Sequence, residues 1–345
     1  MADKPLSYAI KQRVHRAAQQ LGTSDPVPYV GRLIDRSFML PAGHPQYGQN
    51  NLTPGAAPFE PSFSEREPHT LRFTVEPAGP AADPLQRRDD ATREMRRLVD
   101  DVFGHEALHW FDRSSEQWRS LFSHPCLYYG AWFGTAYDRD GLHSSKVYYE
   151  LEPGDLSALP PDLGRLAQTA LSTLPGLIPV FTTIAAYRHR GQQRVTFLHP
   201  APLRLTELNP LLQELGLGHQ LPSIMQIVGL TLGGRFTLPP QSILLGLAGS
   251  LQNPELKLEV LLGMIDDVPV EFPELLRLGL AERPQQLRAM ERWYEAFTPD
   301  NGDWPGNLSV LSVRVTQKMP ARVSVYLRPI EFELNPELTQ PIPAG

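Results

Sequence analysis

The chain has 345 residues, long enough to bury a substantial core, and its 41% hydrophobic and 20% charged residues are globular rather than disordered composition. A formal net charge of −6 leaves no surplus of positive charge to neutralise phosphates, which argues against non-specific binding to nucleic acid. The single cysteine, Cys126, excludes an internal disulfide and a Cys-based zinc site.

The first twenty residues are charged and amphipathic and lack the apolar centre of a signal peptide. No apolar run approaches the length of a membrane span. A cytoplasmic, membrane-free chain is expected, folded as one domain over residues 1–345.

In chain order, residues 6–21 read as a helix, with Ile10, Val14, Ala17 and Leu21 near helical spacing and Gly22 as its terminator. A second helical piece covers 29–36, and the Pro- and Gly-rich stretch 41–58 reads as a loop. A hairpin follows: a short strand through Phe59, Glu60 and Ser62, a charged turn at 64–68, then a strand in which Thr70, Arg72 and Thr74 alternate with Leu71, Phe73 and Val75. Residues 89–102 are expected to be helical. A second strand pair spans 126–137 and 144–153, joined by an Asp-Arg-Asp-Gly turn. Helix is expected at 161–174, a third pair at 179–189 and 193–200, and helix at 205–217. A fourth pair covers 242–251 and residues from 255 on, with helices at 272–280 and 285–297. A fifth pair spans 307–317 and 321–329.

This is a repeat of two antiparallel strands and a helix, about five times over, which favours α+β architecture with the helices on one side. Ten antiparallel strands are enough to close into a barrel with room for a ligand. In the second strand of each pair a basic residue recurs: Arg72, Lys146, Arg194, Lys257 and Arg322. Each shares its face with the residue two further on, namely Thr74, Tyr148, Thr196, Glu259 and Ser324, and Tyr326 extends the last of these rows. The other face is apolar. Taken singly, each basic residue reads as a solvated charge on an open sheet; five recurrences at one place in the repeat favour a row facing the barrel interior. Such a ring of cations is costly unless an anion neutralises it, and a diphosphate is a good candidate.

The stretch PFEPSFS…TLRFTVEP resembles the first repeat of the dimethylallyltryptophan synthase-type aromatic prenyltransferases, with Glu60 and Ser62, then Arg72, then Glu76-Pro77. Lys146-Val147-Tyr148 is similar to the Lys-x-Tyr of that family's second repeat. The later repeats depart from it, with Arg194-Val195-Thr196 in the third and Lys257-Leu258-Glu259 in the fourth. The resemblance implies a ten-stranded antiparallel prenyltransferase barrel of five αββα units, helices outside. It implies transfer of a dimethylallyl group from dimethylallyl diphosphate to an indole or indole-alkaloid acceptor. Compact cyanobactin-type peptide prenyltransferases share that barrel and are the rival enzyme reading; a non-catalytic, small-anion-binding barrel or scaffold is the rival of another class.

Under the resemblance, Arg72, Lys146, Arg194, Lys257 and Arg322 hold the departing diphosphate, with Arg314 a weaker addition. Tyr148, Tyr326 and Trp132 offer π-faces to the allyl cation, and Trp118 is a further candidate at the cavity mouth. Glu60 holds the indole N–H, and Glu207 is a second candidate for that role or for the final deprotonation. The bland alternatives are an exposed strand residue for Glu60, core aromatics for both tryptophans, and a first-turn helix acid for Glu207. No metal site is expected, and no cofactor is required, with Mg²⁺ left as an option. The pairs Asp89-Asp90, Asp100-Asp101 and Asp266-Asp267 do not extend into Asp-Asp-x-x-Asp, and Leu232-Gly233-Gly234-Arg235 lacks the Gly-Lys-Ser/Thr of a phosphate loop.

Overall fold

A computed structural model describes residues 4–119, 127–300 and 302–334. Ten strands close into one antiparallel barrel in which each strand pairs with its neighbours along the chain. They are β1 (Phe59–Ser64), β2 (Leu71–Val75), β3 (Ala131–Asp138), β4 (Gly141–Glu150), β5 (Ile178–Tyr187) and β6 (Arg190–His199), followed after two short outlying strands by β9 (Ile243–Ser250), β10 (Asn253–Leu261), β11 (Gly306–Thr316) and β12 (Arg322–Pro329). The outlying strands, β7 (Leu203–Arg204) and β8 (Thr237–Leu238), pair with each other outside the barrel. The last strand closes onto the first through Ser62 opposite Tyr326 and Ser64 opposite Ser324.

Helices lie outside the barrel: α1 (Leu6–Leu21), α2 (Val27–Ser37), α3 (Pro84–Leu98), α4 (His105–Ser115), α5 (Pro161–Thr173), α6 (Asn209–Glu214), α7 (Leu221–Thr231), α8 (Phe272–Gly279) and α9 (Pro284–Phe297). They cover the apolar row of the strands. Phe73, Val147, Phe197, Leu258 and Val325 are all buried there, in one hydrophobic cluster with helix residues such as Ile10, Met95, Leu166 and Trp293. Full burial of each large apolar side chain stabilises the fold by about 1.5–3 kcal/mol.

The expected α+β class, five hairpins and outside helices are all present. α1 has its expected bounds and ends at Gly22, whose φ of 69° is left-handed and whose N–H returns to the last turn. β4 and β6 each begin three residues ahead of the expected start, and three further boundaries differ. α3 starts at Pro84 because Asp83 and Gln86 form a capping box ahead of it, and it ends in a π-turn at Val99–Phe103. The helix expected at 205–217 is a 3-10 turn at Leu205–Leu208 followed by the short α6. The strand expected from Cys126 begins at Ala131, and Cys126 itself lies outside the described residues. Two helices were not expected. α7 is apolar nearly all round, so it shows little 3.6-residue contrast, and α4 buries only Phe111 and Ser115.

Candidate active site

The hairpin turns all fall at one end of the barrel, and the recurrent cations stand just inside that end. Arg72, Lys146, Arg194, Lys257 and Arg314 line an inner chamber together with Thr74, Tyr148, Thr196, Glu259, Ser324 and Tyr326. About 830 Å³ of it, the open part included, is free of protein atoms. Room for the long cationic side chains comes from small residues on neighbouring strands: Ala136 lies opposite Arg72, Gly134 opposite Lys146, Ala248 opposite Arg194 and Gly246 opposite Lys257. A methyl group on Gly246 would come within 2.8 Å of the Arg194 side chain. Large inward residues thus alternate with small ones around the barrel, as filling a tapered interior requires.

Among the described residues, five cations line the chamber against two carboxylates, Glu67 and Glu259. Arg72 Nη2 donates to Glu67 Oε2 at 2.6 Å. Lys257 Nζ donates to Glu259 Oε1 at 2.5 Å and to the Tyr326 hydroxyl at 2.7 Å. Arg194 is paired with Glu255, which Arg66 also reaches at 2.9 Å and Arg314 at 3.7 Å. Among the described residues no carboxylate lies within ion-pair distance of Lys146. Burial, reinforced by Arg72 and Lys257, pushes the Lys146 ammonium well below the ordinary lysine range. Burial would raise Glu255, but Arg194, Arg314 and Arg66 outweigh it and hold the carboxyl at about 2. The Nε atoms of Arg72 and Arg194 and the hydroxyl of Thr196 are buried without a hydrogen-bond partner among the described residues. Unpaired buried donors in side chains that line a cationic chamber are what an anionic ligand would satisfy.

Toward the opposite end stand Glu60, Glu76 and Trp132. Glu60 is buried and accepts a hydrogen bond from Ser309 Oγ at 2.8 Å. Burial raises its pKa to about 8, against the pull of Ser309, with nearby Glu259 adding to the rise. Trp132 Nε1 donates to Glu76 Oε2 at 3.3 Å, and Arg87 Nε lies 3.2 Å from the other oxygen of Glu76. The indole of Trp132 stacks on Tyr129 with centroids 4.2 Å apart and meets the edges of Phe181 and Tyr148 at 5.8 and 6.4 Å. Burial keeps the phenols of Tyr148 and Tyr326 protonated.

Five expected residues are not among those that line the chamber: Glu60 and Trp132, which stand beyond its far end, and Arg322, Glu207 and Trp118. Arg322 continues the inward row by one rung, opposite Arg314, but at the rim, where it pairs with Glu65 at 3.0 Å beside Arg283. Glu207 is exposed, and its carboxylate accepts the Arg204 N–H at 3.0 Å in the turn that opens at Leu205. Trp118 is buried in the hydrophobic cluster, on a 3-10 turn at Glu116–Arg119. Sequence reasoning passed over Glu67, Glu255, Ser309 and Phe181. Glu67 sits in what read only as a charged turn, and Ser309 becomes visible only through the irregular register of β11 between Leu308 and Val310. It also found no zinc spacing among the histidines, although His105-Glu106-x-x-His109 has the helical spacing of one. That pair is exposed on α4, and no group of three or more ligands that could hold a metal forms among the described residues.

Barrel and chamber together define the class: the fold is that of the prenyltransferase barrel. No protein-family model matches the sequence, and no curated protein matches it. Solved structures do. A 6-dimethylallyl tryptophan synthase superposes with a TM-score of 0.73 at 17% identity, over 99% of this chain and 100% of that one. The 6-dimethylallyltryptophan synthase of Micromonospora olivasterospora gives 0.67 at 17% identity over 95% and 98%. The prenyltransferase PriB, in a ternary complex with L-tryptophan and dimethylallyl thiolodiphosphate, gives 0.64 at 16% identity over 99% of both chains. At these identities the likeness is one of fold.

Proposed function

We propose that the protein is an aromatic prenyltransferase that moves a dimethylallyl group from dimethylallyl diphosphate to an indole acceptor. The observation that carries this reading is the inward row of five cations, with guanidinium N–H donors that lack a partner among the described residues, in a barrel like that of PriB in complex with L-tryptophan and dimethylallyl thiolodiphosphate. A scaffold barrel has no need of such a row. In the proposed reaction the allylic C–O bond breaks and its electron pair leaves with the diphosphate. Arg72, Lys146, Arg194, Lys257 and Arg314 hold that charge before it develops, which costs no reorganisation at the moment of ionisation. The rings of Tyr148, Tyr326 and Phe181 flank the allyl cation and keep water from it. The indole captures the cation while its N–H is held by ionised Glu60, which increases electron density on the ring. Rearomatisation then releases a proton.

Calorimetry with dimethylallyl thiolodiphosphate tests the donor half; absence of both heat and a thermal shift would sink every prenyl-transfer version. Incubation with dimethylallyl diphosphate and either a set of indoles or cyclic peptides, read by mass, separates an indole acceptor from a peptide side chain.

A further inference from the structure

The turn between β1 and β2 places three consecutive charges, Glu65, Arg66 and Glu67, at the cationic end of the barrel. Each finds a different partner: Glu65 pairs with Arg322 and Arg283, Arg66 with Glu255, and Glu67 with Arg72. Two glutamates therefore rest on chamber-lining arginines, and they differ in how they are held. Glu255 is on a strand, among guanidiniums from Arg66, Arg194 and Arg314. Among the described residues Glu67 has one guanidinium, that of Arg72, and its backbone is pinned separately, by its N–H to Ser64 O at 3.0 Å and by Thr70 Oγ1 to its carbonyl at 2.8 Å. Its carboxylate can therefore leave Arg72 by rotation of its own side chain. A second partner is at hand: His143 Nε2 lies 3.6 Å from Glu67 Oε2, and the other ring nitrogen of His143 lies 3.1 Å from Asp138.

We propose that Glu67 is an exchangeable counter-ion of the diphosphate subsite: it neutralises Arg72 while the chamber is empty, yields Arg72 to the diphosphate of the donor by turning to His143, and returns to displace the product diphosphate. The inference rests on the prenyl-transfer reading and adds a residue that sets donor affinity and product release. A buried cation without a partner is costly, so a resident carboxylate stabilises the unloaded barrel. The same carboxylate competes with the ligand, so the chamber binds diphosphate less tightly than its cations alone would, which favours turnover over product retention.

The test is calorimetry of inorganic diphosphate binding to the full chain, in wild type, Glu67→Gln, Arg72→Ala and the double variant. Glu67→Gln should lower the Kd at least about tenfold, the scale of one charge-assisted hydrogen bond no longer contested. In the Arg72→Ala background the same substitution should change the Kd by no more than about twofold, because the contested partner is gone. With dimethylallyl diphosphate, Glu67→Gln should lower KM and kcat together as release slows. An unchanged or raised Kd in Glu67→Gln overturns the exchange while leaving the donor site standing. Failure of the wild type to bind diphosphate overturns the functional reading and this inference with it. Should Glu67→Gln not fold, Glu67→Asp, too short to keep the Arg72 contact, must show the same tightening, and a weaker Kd there counts against the proposal.

Discussion

Arg72 has one guanidinium nitrogen on Glu67 and another, Nε, without a hydrogen-bond partner among the described residues, and it lines the chamber beside Lys146. Arg72→Ala should weaken dimethylallyl thiolodiphosphate by about tenfold to a hundredfold, the range of a charge-assisted contact, with the barrel still folded; calorimetry beside a thermal melt reads both. At the acceptor end, burial holds Glu60 at about 8, so its carboxyl is mostly protonated at pH 7 in the empty chamber. Holding an indole N–H requires the ionised form. The rate at low acceptor concentration should therefore rise with pH through about 8, and Glu60→Gln should abolish both the rise and most of the transfer. A pH-rate profile that is the same in both proteins would remove Glu60 from the chemistry. The face on which Glu60 and Arg72 lie was legible from period-2 alternation, since side chains on a strand point alternately to its two sides. Which cation meets which carboxylate was not, because those pairs form across strands far apart in the chain.

At the scale of elements, the first hairpin and the segment ahead of β3 position the two ends of the site. Glu150, at the end of β4, accepts hydrogen bonds from the backbone N–H groups of Tyr128, Tyr129 and Gly130 at 2.7–3.0 Å. That cluster sets the plane of Tyr129 on which Trp132 stacks. Gly130 has φ 81°, and a Cβ there would lie 1.8 Å from the carbonyl oxygen of Pro84, so the turn has room for glycine alone. Glu150→Ala should cost about 1–3 kcal/mol through the three stranded donors, measured as a lower denaturant midpoint at constant m-value. Trp132 fluorescence should shift in the same variant; an unchanged midpoint would mean that the segment is held by packing alone. The existence of the five hairpins was readable from turn residues and alternation. The helix at α7 was not, because it lacks the one-sided apolar stripe that marks a surface helix, while α4 carries such a stripe in Ala107, Leu108 and Phe111 but over only eleven residues.

Over the whole molecule, the chain carries a formal charge of −6 while its chamber has cations in excess, so the positive potential is local to the barrel interior. The barrel depends on a seam between its first and last strands, with only Ser62, Phe63 and Ser64 in register against Tyr326, Val325 and Ser324. Removing residues 306–334 takes away β11 and β12, exposes the edges of β1 and β10, and removes Arg314 and Tyr326 from the chamber. Such a truncated chain should lose its cooperative thermal transition and aggregate; a sharp calorimetric peak from it would show that the closed barrel is not the folding unit. Closure across the full length of the chain also predicts slow folding, because contacts of high sequence separation must form before the core is complete.

The hairpin repeat, the inward direction of the basic row and the apolar direction of the other row are written in the chain, because they follow from short-range alternation that every strand imposes on its own side chains. Which members of that row share a chamber depends on the closed barrel. Arg322 sits one rung too far along its strand and is claimed by Glu65. Glu207 and Trp118 belong to turns outside the barrel wall, where local hydrogen bonding and packing account for them. Glu67 entered the site for the opposite reason: a charged turn that looks solvated from its own neighbours folds across the barrel end and meets Arg72. Those outcomes depend on closure, strand tilt and loop path, which no short window of residues contains.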